Sequence, residues 1–129
     1  MPDAAHLAAI DSLLAIALTF ILAARVGALR GRYKIEAPAM TGHPDFERAC
    51  RTHMNTVENL VLFLPLLWLA TTFYGGVIPF WLGLGWVIAR LIYAAGYAQT
   101  NTQMRGPGIG LSFLCLLALL VLAVIGLAH

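Results

Sequence analysis

The sequence predicts an all-α integral membrane protein, a four-helix bundle that occupies residues 1–129 as one domain. Three observations carry that expectation. The chain is 60% hydrophobic and only 11% charged, where a soluble domain averages about 25% charged residues. Four apolar windows can be read, at 7–24, 57–73, 77–97 and 109–128, each close to the ~20 residues a helix needs to cross a bilayer. The charged and amide residues that remain gather at window ends and repeat with helical rather than random spacing.

Helix one is expected over 4–29. Asp3 precedes it and no Lys or Arg comes before the apolar run. The basic leader of a signal peptide is therefore missing, and the window reads as a retained helix. Arg25 and Arg30 at its far end suit the helix dipole and lipid headgroups. Pro38, Gly42 and Pro44 make 31–45 a loop. Asp45 reads as the N-cap of helix two, with Glu47 and Arg48 in its first turn. Pro65 lies within helix two, removes one backbone bond and predicts a kink near Val61. Gly75 and Gly76 turn the chain, and Pro79 sits early in helix three. The segment 99–108 is polar and reads as a loop. Helix four follows, featureless and expected to be structural and lipid-facing.

Basic residues are concentrated. Arg25, Arg30, Arg32, Lys34, Arg48 and Arg51 lie at or between the first two windows, Arg105 lies between the third and fourth, and 74–79 has none. The positive-inside rule then places loops 31–45 and 99–108 in the cytoplasm and both termini on the opposite side. A net charge of +2, small and local, does not point to nucleic acid. The basic first loop suits anionic membrane lipids.

The most informative stretch is where helix two enters the membrane. At about 100° per residue, Arg48, Arg51, Asn55 and Glu58 fall within a sector of roughly 80°. One helix face thus carries cations, an amide and a carboxylate, the set needed to hold a small zwitterion. Ionisable groups at such a boundary mark function by default. Helix three supplies a second stripe, Arg90, Tyr93 and Tyr97, spaced i, i+3, i+7. Arg90 lies roughly 10 Å inside the end of its helix at 1.5 Å per residue. It reads either as a ligand-binding cation or as half of a structural bridge to Glu58. His53 falls roughly 160° from Arg51 and Asn55. It reads as a base or as an interfacial histidine. Asp11 is either a proton or cation site or an acid facing the bundle near the outer interface. Trp68, Trp81 and Trp86 read as packing and interface anchors. Cys50 and Cys115 are expected to be free thiols. No Walker loop, dinucleotide fingerprint or zinc spacing is present, so no metal site is expected.

These residues resemble the family of membrane-associated proteins in eicosanoid and glutathione metabolism. The match is carried by Phe46-Glu47-Arg48, Arg51, His53, Asn55 and Glu58 running into the apolar segment to Trp68. Arg30-Gly31-Arg32-Tyr33-Lys34, Pro38, Gly42, Ala89-Arg90, Tyr93 and Gly96-Tyr97 support it. The resemblance covers nearly the whole chain. It implies a homotrimer with glutathione as co-substrate at subunit interfaces facing the cytoplasm, and a lipophilic small-molecule electrophile or hydroperoxide as second substrate. It implies glutathione-binding roles for Arg30, Arg51, His53, Asn55, Glu58, Arg90, Tyr93 and Tyr97. Two positions depart from the pattern. Asn59 stands where some members have tyrosine. The arginine that activates the thiol has only Arg105 as a candidate, at a different spacing from Tyr97. Arg105 and Tyr97 are accordingly the catalytic candidates, with a headgroup anchor as the other reading of Arg105. A non-catalytic glutathione- or lipid-binding membrane protein is the alternative function, and a small exporter using Asp11 a third.

The topology is testable. With Cys50 and Cys115 replaced, a cysteine placed at Thr41 should react with an impermeant reagent only from the cytoplasmic face. Labelling from the outer face would reverse the orientation.

Overall fold

The computed structural model describes residues 2–98 and 105–129, and the side chains of Ala98 and Arg105 fall outside that description. The described residues form four long helices: α1 (Ala4–Arg32), α2 (Pro44–Leu69), α3 (Ile78–Ala98) and α4 (Arg105–Ala128). All four are long and apolar enough to cross a membrane, as the apolar windows predict.

Local chemistry sets most boundaries. Asp3 caps α1 by accepting from the His6 backbone N–H at 2.8 Å. That bond, with the His6 side chain, holds the Asp3 carboxyl below the usual carboxylate range. The cap of α2 corrects the expectation for Asp45. His43 is the N-cap, its Nδ1 accepting from Asp45 N at 3.1 Å, and Pro44 fills the first turn, where a backbone N–H is not needed. Asp45 instead pairs with Arg48 and accepts from the Tyr33 hydroxyl at 3.0 Å. Burial, and then that carboxylate, push the Tyr33 hydroxyl above the ordinary tyrosine range. The Tyr33 ring also stacks on His43 at 3.6 Å, so the loop between α1 and α2 is pinned to both helix ends. Helix α2 runs on through Pro65. Its hydrogen bonding widens only later, in a π turn at Ala70–Tyr74.

Two expectations for the last helix are corrected. Arg105, Gly106, Pro107 and Gly108, read from sequence as loop, are the first turn of α4. A proline in a first turn breaks no hydrogen bond, so its breaker signal was misleading there. The remainder of the predicted loop, 99–104, lies outside the described residues. Helix α4 is also more than a lipid-facing strut, because Gly108, Ser112, Cys115, Leu119 and Ala123 are buried on one face. Cys50 and Cys115 are free, as expected.

Within a bilayer there is no hydrophobic drive between helices, so association depends on close packing at small residues. On α1 the buried stripe is Ala8, Asp11, Ala15, Leu18 and Leu22, spaced by threes and fours as one helix face requires. Phe63 of α2 stacks on Trp86 of α3 with ring centroids 4.0 Å apart. Glycines make the tightest approaches. A Cβ on Gly108 would lie 2.6 Å from the Tyr93 backbone nitrogen, and one on Gly126 would meet the backbone of Phe73 and Tyr74. A Cβ on Gly83 would collide with the Asp11 carboxylate. Asp11 is fully buried, and neither of its oxygens has a hydrogen-bond partner among the described residues. The acid faces the bundle, as one of its two sequence readings had it.

The Gly108 approach generates a prediction. Gly108→Ala should destabilise the bundle by about 1–3 kcal/mol, the usual cost of overpacking. Gly110→Ala, whose Cβ would meet nothing within 4 Å, should be nearly neutral. Thermal unfolding in detergent compares the two.

Candidate functional site

Helices α2 and α3 bring two predicted stripes to one cavity. Arg51, Met54, Asn55 and Glu58 from α2, with Tyr93 and Tyr97 from α3, line a pocket of about 270 Å³. Arg51 and Glu58 are exposed and make no hydrogen bond or ion pair among the described residues. A cation and an anion, about two turns apart on one helix, therefore stand available to an incoming ligand. Tyr93 is almost wholly buried, with its ring 5.1 Å from that of Tyr97.

Arg90 occupies a different place from the one its stripe suggests. It is 1% exposed and does not line that pocket. Its Nη2 donates to Asn55 Oδ1 at 2.7 Å and approaches Thr56 Oγ1 at 3.4 Å, while its guanidinium carbon lies 4.1 Å from the Tyr93 ring centroid. The bridge to Glu58 is not formed. A glutamate there would have to turn inward from an exposed position, whereas Asn55 already points at α3. Arg90 thus orients Asn55 and backs Tyr93, and joins the two walls of the pocket from behind.

Two other predicted residues, His53 and Arg30, stand apart from this cavity within one chain. His53 lies on the far side of α2, as its angle requires, and lines a separate apolar pocket with Ile16, Thr19, Phe20, Ala23 and Leu60. Arg30 donates Nη1 to the Ala39 carbonyl at 2.8 Å and covers the Phe46 ring at 4.8 Å, strapping the first loop onto α2. Arg105 begins α4, and its side chain is outside the described residues. Asp11 is in neither of these pockets.

Sequence reading did not anticipate an apolar groove near this pocket. A groove of about 380 Å³ runs between α2 and α4, lined by Val61, Leu62, Pro65, Leu66, Phe113, Leu116, Leu117 and Leu120. A smaller cavity of about 190 Å³, lined by Asn55, Asn59, Arg90, Leu62, Ile109, Phe113 and Leu116, sits between groove and polar pocket. In sequence these leucines are indistinguishable from lipid-facing ones. Thr56 was also missed. Nothing local marks a threonine as an arginine's neighbour until the α2–α3 register is known.

The comparisons with known proteins converge. Residues 8–125 match the model of the MAPEG family. Microsomal glutathione S-transferase 2 of Mus musculus is 40% identical over 126 residues, covering 98% of this chain and 84% of its own. Leukotriene C4 synthase of Bos taurus is 35% identical over 130 residues, covering 100% of this chain and 86% of its own. An uncharacterised protein of Synechocystis is 38% identical over 119 residues, covering 92% and 86%. Matched along almost its full length by the family model, and by relatives above the identity at which folds diverge, this four-helix chain belongs to the MAPEG family.

Proposed function

We propose that the protein is a membrane-embedded glutathione-dependent transferase acting on lipophilic electrophiles. One observation carries this reading: Arg51, Asn55 and Glu58 share a cavity with Tyr93 and Tyr97. Glutathione presents two carboxylates, one ammonium, two amides and a thiol. Arg51 suits a carboxylate and Glu58 the ammonium, while Asn55 and the tyrosines suit the amides. The names of the relatives, a glutathione S-transferase and a leukotriene C4 synthase, support the same chemistry.

The pocket is open on one side, and Arg30 and His53 lie away from it. A homotrimer accounts for both, with a neighbouring subunit closing the pocket and presenting those two residues to the ligand. The shared site then lies at the end of the bundle that carries the basic loop, which the charge bias assigns to the cytoplasm. The second substrate enters from the bilayer along the α2/α4 groove, so membrane partitioning concentrates it beside the thiol. Crosslinking in mild detergent should give three copies.

Thiol activation falls to Arg105 and Tyr97. A free thiol has a pKa near 8.5, so only a few per cent is thiolate at pH 7. A guanidinium nearby stabilises the thiolate, and a phenol can donate to it. The thiolate sulfur then forms a bond to the electrophilic carbon as that carbon's bond to its leaving group breaks, the leaving group departs with the electron pair and takes up the proton the thiol released, and the thioether is the product.

The direct experiment gives purified protein glutathione and a hydrophobic electrophile, and follows thiolate absorbance and conjugate. Absence of both would overturn the reading. Arg51→Ala and Glu58→Gln should each weaken glutathione binding by roughly 10- to 150-fold, the value of one charged hydrogen bond. Isothermal titration measures this. Arg105→Ala should keep binding but lose the thiolate absorbance near neutral pH and most turnover. Normal turnover of that variant from about pH 6 to 9, across the thiol's titration range, would assign activation elsewhere, with Arg30 next in line.

A further inference from the structure

Helix caps are ordinarily Ser, Thr, Asp or Asn, whose side-chain oxygens accept a hydrogen bond throughout the neutral pH range. Helix α2 is capped instead by a ring that titrates. His43 Nδ1 lies 3.1 Å from the Asp45 nitrogen. A backbone N–H can only donate, so Nδ1 must hold its lone pair and the single ring proton must sit on Nε2. One hydrogen bond thus fixes both the charge and the tautomer of His43. Pro44 has no N–H to satisfy, so Asp45 carries the first amide proton of the helix, and the ring receives it. The His43 carbonyl accepts from the Glu47 N–H at 3.0 Å, so one residue closes the turn twice.

The loop between α1 and α2 grips the helix through the same ring. Tyr33 stacks on it with 8° between the ring planes, and its hydroxyl donates to Asp45. Gly42 precedes it at φ +145°, a conformation that side chains rarely adopt, and the Gly42 N–H donates to Glu47 at 3.4 Å. The charged groups joined to this corner are of both signs. Arg32, over the Tyr33 ring, and Arg48, paired with Asp45, oppose a positive charge on His43. The Asp45 and Glu47 carboxylates favour one. Farther along the loop, Arg30 donates to the Ala39 carbonyl and covers Phe46, a tether that does not pass through the ring.

We propose that His43 is a proton-operated latch on the first loop, capping α2 when neutral and releasing the first turn when protonated. A second proton on the ring can go only to Nδ1, whose lone pair the cap is using. The imidazolium would set one N–H against another, so the ring must rotate away from Asp45 N. Rotation takes it off the Tyr33 ring as well, and two of the loop's contacts with α2 are lost together. The Asp45 carboxylate, two residues on, is the partner the new cation turns to, in competition with Arg48 and the Tyr33 hydroxyl. The residue therefore has two alternative arrangements, and proton uptake chooses between them. The sign follows from the bond: the cap is present while the ring is neutral and is lost as pH falls. The Arg30 tether survives in both, so the change is a local opening of the loop and first turn rather than unfolding of the bundle. No ligand enters the device, which stands whether or not the glutathione reading holds.

The test compares the intact protein in detergent with His43→Asn, whose amide oxygen is a strong cap that does not titrate. Amide hydrogen exchange is followed by mass spectrometry at about pH 8 and about pH 5, the window over which histidine ordinarily changes charge. The readout is the exchange rate of the peptide carrying Asp45, Phe46 and Glu47, as the ratio of wild type to variant at each pH. Taking the ratio cancels the intrinsic pH dependence of exchange and the titration of His6, His53 and His129, which both proteins share. The ratio should rise by about 5-fold or more on going to the lower pH, the scale of one lost helix cap. A ratio equal at both pH values overturns the latch. A rise shared by the peptides of α4 overturns it too, because the opening would then be global. His43→Ser, a second cap that does not titrate, decides in the same way if His43→Asn does not fold.

Discussion

The hydrogen bond from Arg90 to Asn55, 2.7 Å across the α2–α3 contact, is the interaction on which the site depends. It fixes the rotation of two membrane helices relative to each other. With Asn55 turned toward α3, helical spacing leaves Arg51 and Glu58 on the open side of the same face. With Arg90 buried behind Tyr93, the tyrosines are held at the opposite wall. Hydrophobic packing alone could not specify this, because lipid and leucine are equally apolar and a helix can slide or rotate among them at little cost. A buried polar contact has far fewer acceptable registers.

The glycines supply the second half of that specification. Gly108 lets the backbone of α4 reach the backbone of Tyr93, so a residue of the polar pocket is braced from behind by α4. The apolar groove exists for the same reason. Where α4 is drawn onto α3, its lower turns leave a gap beside α2, and Phe113 and Leu116 line it. Polar pocket and lipid groove are thus two results of one packing arrangement.

Much of this was legible in the sequence. Four helices followed from apolar length, and the Arg51, Asn55 and Glu58 face followed from a rotation of about 100° per residue. That same angle correctly set His53 apart. What stayed hidden was tertiary. Glu58 looked like Arg90's partner because opposite charges at equal depth ordinarily pair, but pairing depends on side-chain direction across an interface, which no single helix records. Asp45 looked like a cap because aspartate favours that position. His43 took it because Pro44 supplied a ready first turn and left the aspartate to Arg48 and Tyr33. Pro107 looked like a helix breaker because its harmlessness depends on where the helix begins. The groove residues carried no signal, since leucine facing leucine and leucine facing lipid are written alike.

Asp11 has a consequence for biogenesis. A carboxyl a turn or so inside an apolar segment opposes insertion, by less than the about 2.5–3.5 kcal/mol of a carboxyl at the helix centre. One wall of the enclosure around it is the bare backbone at Gly83 of α3, which the ribosome produces after α1. During synthesis the Asp11 carboxyl therefore lacks that glycine until α3 has been made. It reaches its final setting only when α3 arrives with a glycine at the right level. A helix made before α3 is thus finished by it.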